Sequence, residues 1–268
     1  MSQRANNVVQ LSQASQRSQA SQRPQASQRS QTSQRRQMMA RAYSTLPDHV
    51  KKLHQLAVDK LTPALAVMFD QADNLFYELA DRSESNKEQN QYFDAMRETR
   101  LKREQITTDF GDSWQHIFSA LKSDEPAPIV TSDVISIDSL SLMAEDEMEE
   151  KVALETMVSK VKGGLTVALI HLDMRLGSLL TGQQLDNHRN PFLPHTICET
   201  FIESCGKLSL DISAKIHLYK LFEQHVVVLI PELVRTANEQ LIQIGILPDL
   251  LAAKKKAPAT PRSEPEKV

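Results

Sequence analysis

Glycine is scarce in this 268-residue chain, at seven, which speaks against phosphate-cradling loops and against a sheet-rich enzyme with many tight turns. Cysteine is scarcer still. Cys198 and Cys205 make no disulfide framework, which fits a reducing compartment. Long apolar runs are missing too. The richest, Val226 to Ile230, stops at Pro231, far short of the ~18 residues of a membrane span. The N-terminus has no apolar core of the kind a secretory signal carries. Nor does any G-x-S-x-G elbow or C-G-x-C signature occur, so a nucleophile has no recognisable setting. These absences point to a soluble, cytoplasmic, non-catalytic protein.

What is present is helical periodicity and an uneven charge. The overall net charge of -3 conceals seven arginines (4, 17, 23, 29, 35, 36, 41) with no acid in residues 1–47, so the remainder carries -10. That arm contains a hexapeptide repeat, Ala14–Gln19, Ala20–Gln25, Ala26–Gln31 and Thr32–Gln37, each reading [AT]-S-Q-R-x-Q. The unit has no large apolar residue to bury and cannot offset its ordering entropy. Residues 1–45 are therefore expected to be a disordered arm.

From Pro47 the apolar residues recur at helical spacing. Val50, Leu53, Ala57, Leu61, Ala64, Met68, Ala72, Leu75 and Leu79 form one stripe, with Pro63 inside it as an expected kink. A second helical stretch after Ser85 carries Phe93, Met96, Ile106, Phe110, Trp114, Ile117 and Leu121, and its charged middle, Arg97 to Glu104, faces solvent. Residues 46–122 thus read as an antiparallel helix pair, and 123–136 as a linker containing Asp124-Glu-Pro-Ala-Pro128. Ile137 to Met143 reads as short and extended.

The acidic run Glu145–Glu150 suits a helix start, where carboxylates meet the positive end of the dipole. That helix carries Val152, Leu154, Met157, Val158 and Val161, meets a bend or break at Gly163-Gly164, and resumes to Leu180, with Gly182 as its expected C-cap. After the turn-rich Asp186–Pro191, Pro194 opens a helix that Gly206 closes. The last helix, Leu210 to Ile244, has a heptad-like seam of Ile212, Ile216, Tyr219, Val226, Ile230, Leu233, Ala237, Leu241 and Ile244, interrupted by Glu223, kinked by Pro231 and stopped by Gly245. Within it Tyr219, Phe222, Val226 and Ile230 are the candidate interaction or core seam. Residues 137–251 form one helical unit, and 252–268 a Lys/Pro-rich tail expected to be disordered.

Several constellations were candidates for chemistry. His188, His195, Cys198 and Cys205 could in part share a helix face, but no C-x2–4-C or H-x3–5-H pair occurs among them, so buried cysteines and surface histidines are expected instead of a metal. A helix-bundle carboxylate site would need Glu-x-x-His motifs, and none occurs. His217 and His225 flank Glu223, where a buried His–Glu pair competes with a solvated helix edge. No catalytic, cofactor-binding or metal residue is assigned.

Several blocks resemble a known bacterial family: Ser141–Glu150, the Leu172-Asp-Met-Arg-Leu176 string, Asn190-Pro-Phe-Leu-Pro194 with Ile197-Cys-Glu199, Leu218–Glu223, and Ile244-Gly-Ile-Leu-Pro-Asp-Leu250. The family is domain of unknown function 1631, some of whose members are labelled thymidine phosphorylase. The resemblance implies a large, mostly helical cytoplasmic protein with a β-rich C-terminal module similar to cyclic-dinucleotide-binding PilZ domains. This chain stops where the family runs on and has no R-x-x-x-R…D-x-S-x-x-G pattern, so neither cyclic-dinucleotide binding nor the phosphorylase label carries over.

The expected fold is all-α, a bundle of about five long, partly kinked helices. The expected function is that of a non-catalytic scaffold or adaptor, the N-terminal portion of a larger bacterial regulatory protein, working through protein–protein contacts. Its partners are proteins, a second copy of the chain among the candidates. The alternative is a nucleic-acid-associated protein using the basic arm, whose repeat lacks aromatics for base stacking and whose tethered body repels phosphates. Weak nucleic-acid contact by that arm at most, no cofactor and no membrane complete the expectation.

Overall fold

A computed structural model describes residues 37–38, 40–121, 145–180 and 190–250. The repeat up to residue 36, the 123–136 linker, the extended reading of 137–143, the Gly182 cap, His188 and the 252–268 tail lie outside the described residues. Of residues 1–45, only 37, 38 and 40–45 are described. Residues 40–44 are helical, with the Ser44 and Thr45 hydroxyls donating to the carbonyls of Arg41 and Ala42. Ala40, Arg41 and Ala42 are strong helix formers.

From Leu46 onward the described residues form one compact unit. It contains six helices of twelve residues or more, and no strand occurs among the described residues. α1 (Asp48–Arg82) and α2 (Asn86–Ala120) are joined by a tight turn in which the Ser85 hydroxyl accepts from the Glu88 N–H and caps α2. Arg100 bonds Asp73 and Arg103 bonds Asp70, so the two helices run antiparallel. α3 (Glu145–Leu180) follows, then α4 (Pro194–Cys205), α5 (Ile212–His225), a 3-10 turn (Val227–Leu229) and α6 (Ile230–Gln243). α3 runs parallel to α5 and α6. Its contacts climb in step, from Glu150 with Lys215 through Lys160 with Glu223 to Ala168 with Asn238 and Arg175 with Leu247.

Two punctuation readings are corrected, the break at Gly163-Gly164 and the single last helix. α1 continues unbroken through Pro63, and α3 through Gly163 and Gly164. The last helix, in contrast, is two helices. Pro231 does not kink it in place, because its ring would meet the carbonyl four residues back, at Val227. There the backbone tightens, with Leu229 N–H donating to Val226 and Ile230 N–H to Val227, and α6 starts afresh with Pro231 in its first turn. Gly245, at φ +82°, ends the segment in the left-handed conformation glycine permits.

The stripes also shift. In the second half of α1 the buried line passes through Leu65, Phe69, Phe76 and Ala80, leaving Ala64, Leu75 and Leu79 at its edge. In α2, Ala95 and Thr99 take the core positions expected for Phe93 and Met96. In α3, Met157 and Val158 are buried but Val152 is exposed, and Ile244 beyond α6 is exposed as well.

The core is an aromatic column. Trp114 sits edge-on to Phe118 and Phe192, and its indole N–H donates to the buried Pro191 carbonyl at 3.0 Å. Phe110 bridges to Phe222, which stacks on Phe201 with centroids 3.9 Å apart and planes 7° from parallel.

Candidate functional site

α4 shows most directly what chemistry the fold does not arrange. Pro194, with no N–H to lose, starts it, and eight of its twelve residues are buried, because it packs against both α2 and α3. Cys198 and Cys205 are fully buried free thiols. Burial, with the Glu223 carboxylate adding to it, pushes the Cys198 thiol up to about 12, and burial raises Cys205 further. Thiols held protonated in this way are poor nucleophiles and poor metal ligands. His195 lies on the outer edge of α4 with its Nδ1 3.7 Å from Glu199, away from the cysteines' buried face. Among the described residues no group of three or more His, Cys, Asp or Glu could hold a metal ion. Burial and the neighbouring Glu203 push Glu199 up to about 7.

The His–Glu pair weighed for α5 does not form. Glu223 bonds Lys160 of α3, while His217 packs edge-on against Tyr92 at 6.2 Å, its pKa lowered first by burial and then by Lys220. Within the acidic start of α3, Glu150 ties the helix to α5, accepting from Lys215 at 2.7 Å and from the Tyr219 hydroxyl at 3.2 Å. All four seam residues, Tyr219, Phe222, Val226 and Ile230, are core, none more than 1% exposed. They hold α5 and α6 to the body and offer no surface.

Two charged residues that sequence reasoning passed over lie inside. Asp173 and Arg175, two residues apart on α3, are both buried. Asp173 accepts from the Asn190 side-chain amide at 2.7 Å, and the Asn190 oxygen accepts from the Phe192 N–H at 2.8 Å, fixing the turn into α4. Burial pushes Asp173 up to about 6, against the Asn190 hydrogen bond that lowers it. Arg175 donates to the Asn238 side-chain oxygen at 2.6 Å and to the Leu247 carbonyl at 3.2 Å, and burial lowers its pKa. Asn238 in turn donates to the carbonyls of Ala168 and Val234. The available signal was two charges set inside the apolar stretch Leu165 to Leu180, where helix periodicity leaves little room for both to reach water.

The outer face of α3 is the converse. Val152, Val167, Ile170 and Met174 are exposed, Val167 by 64%, and just beyond α6 Ile244 and Leu247 are exposed too. Gly163 and Gly164 lie on that face, where an added Cβ would meet nothing within 4 Å. No helix is long and apolar enough to cross a membrane among the described residues.

With this geometry in view, comparison with known proteins adds one finding. The model of the family described as "Protein of unknown function (DUF1631) N-terminal domain" matches residues 45–245. No curated protein and no solved structure matches the chain.

Proposed function

The chain belongs to this DUF1631 family, and we propose that it is a non-catalytic adaptor or scaffold, the helical docking portion of a larger bacterial regulatory protein. The observation that carries this reading is the outer face of α3, where Val152, Val167, Ile170 and Met174 stand exposed in a chain with no shortage of charge for its other surfaces. Exposed apolar side chains gathered along one helix are the ordinary mark of a contact surface. The reactive groups offer no competing account, since both thiols are buried and protonated and the buried Asp173 and Arg175 bind backbone and amides of their own fold.

Co-purification of the intact chain from native cytosol, with its partners identified, tests the proposal. A defined set of partners lost on Val167→Asp and Ile170→Glu is expected. A partner set indifferent to both changes would remove the α3 face from consideration. The rival reading rests on the seven arginines of the arm. It predicts tight binding to nucleic acid at about 0.15 M salt that vanishes when residues 1–44 are deleted, measurable by polarisation.

A further inference from the structure

The segment that follows α6 is held in an uncommon way. Gly245 and Leu247 are the described residues with positive φ, at +82° and +44°, and only the glycine adopts such backbone freely. Leu247 also precedes Pro248, whose ring pushes the residue before it towards extended backbone. Burial of the Leu247 side chain does not offset this, because that side chain is exposed. What Leu247 supplies from its left-handed position is a carbonyl, which accepts from Arg175 Nη2 at 3.2 Å. Strained backbone of this kind persists only where its surroundings hold it, and it is common in elements that switch.

The arginine at the other end of that bond is incompletely satisfied. Arg175 is 3% exposed, and its Nη1 donates to the Asn238 side-chain oxygen at 2.6 Å. Its Nε, on the same edge of the planar guanidinium as Nη2, is buried and has no partner among the described residues. That edge matches the two oxygens of a carboxylate, and a single carbonyl fills half of it. Asp173, two residues away on α3, bonds Asn190 and does not supply the missing charge. Asp249, two residues beyond Leu247, is exposed, and its carboxylate makes no hydrogen bond or ion pair among the described residues. We propose that residues 245–249 form a two-position latch on α3. In the position described, the Leu247 carbonyl holds Arg175. In the other, Leu247 relaxes to extended backbone and the Asp249 carboxylate takes the Nε–Nη2 edge.

Opposing effects keep the two positions close in free energy. The second relieves the Leu247 backbone, gives the buried guanidinium a counter-charge and satisfies Nε. Against it stands the cost of taking the Asp249 carboxylate out of water. The exchange is within reach, since Cα atoms two residues apart are separated by at most ~7 Å. Its consequence is directional. Whatever follows Leu250 leaves α6 on a path set by the latch, and Arg175 connects that path to Asn238 of α6 and, through it, to the Ala168 carbonyl of α3. Any partner that favours one path shifts the latch by its differential affinity. This device goes beyond the adaptor reading and does not depend on which face binds a partner.

Distance distributions from double electron–electron resonance test the latch in the full chain. One spin label goes on Val167→Cys, exposed on α3, and the other on Ala252→Cys, just past the segment. The native thiols, Cys198 and Cys205, are buried and do not compete for label. Two distances are expected. Asp249→Asn keeps the size of the side chain and removes its charge, and should reduce the population of the second distance about tenfold. Leu247→Gly, which makes left-handed backbone easy, should shift the populations the same way. Both substitutions are at exposed positions, so the far-ultraviolet circular dichroism should not change. A single distance unchanged by either variant would overturn the latch. Two distances indifferent to Asp249→Asn would show that the segment moves without Asp249 reaching Arg175, and would overturn the exchange.

Discussion

The α1–α2 hairpin and α3 are built from helices of almost equal length, 35, 35 and 36 residues, yet they distribute charge in opposite ways. The hairpin keeps Phe69, Phe76, Phe110, Trp114 and Phe118 inside, leaves Tyr77 and Phe93 exposed, and ties its surface with Arg100–Asp73 and Arg103–Asp70. In α3 an aspartate and an arginine are buried while Val167, Ile170 and Met174 face outward. The hairpin leaves Val67 and Leu101 exposed as well, so exposed apolar residues do not by themselves set α3 apart; the pair of charges buried inside it does. The comparison also separates two uses of polar groups. On the hairpin they tune a solvated surface, whereas in α3 they join distant segments, Asn190 before α4 and Leu247 beyond α6, to one helix.

The largest effect is expected where both regions meet in the aromatic column. Phe222→Ala removes the ring stacked on Phe201 and edge-on to Phe110, and should cost about 3–5 kcal/mol by urea denaturation. A small loss accompanied by a lost complex would return this seam to the surface and blur the comparison. Next is the buried polar side of α3. Asn238→Ala strips Arg175 of one of its two acceptors and should cost about 2–3 kcal/mol, against a negligible change if water replaces the amide.

Asp173 supplies a pH signature of the same burial. Its folded pKa, about 6, lies above the ordinary 3.8, so the native state holds the proton more tightly than the unfolded chain does. Stability from this group is therefore fully present below its unfolded pKa and is lost as pH rises through its folded pKa, and Glu199 at about 7 acts in the same sense. Asp173→Asn abolishes the Asp173 share. It should leave stability near wild type in acid and raise it by about 1–3 kcal/mol near pH 8, as melting curves across pH would record. An advantage that shrinks as pH rises would mean Asp173 is paired with a cation.

Two smaller effects sharpen the contrast between the surfaces. Gly163→Ala and Gly164→Ala on α3 should each stabilise the chain by about 1 kcal/mol in thermal melts, since each added Cβ enters open space, and a loss at either would mean that something covers that face. Arg103→Ala on the hairpin breaks an exposed ion pair, and its effect should stay within about 0.5 kcal/mol.

Much of the helix layout follows from local signals alone. Pro194 and Gly206 bracket α4, Ser85 caps α2, and Asp211, whose side chain accepts from the Ala214 N–H, caps α5. Each of these is decided within one turn of chain, by an absent N–H or a side-chain acceptor, so the local sequence suffices. The seam of Tyr219, Phe222, Val226 and Ile230 was equally visible as an apolar line, though not whether it was core or surface. Punctuation was less dependable. Gly163 and Gly164 looked like a break and break nothing, because neighbouring turns and packed inner faces hold a long helix together against a weak position.

What only the tertiary structure decided is the environment of each face. An apolar line on a helix says that something covers it or that something should, and periodicity cannot distinguish the two. Whether Asp173 and Arg175 could be buried depended on Asn190 and Asn238, 17 and 63 residues away in the chain, arriving to accept or donate. Desolvation is a property of everything that surrounds a group, so no local pattern encodes it. By itself the sequence determined an all-helical chain with a basic arm and an acidic body. Folding decided which apolar residues became the core of that body and which, along α3, were left facing out.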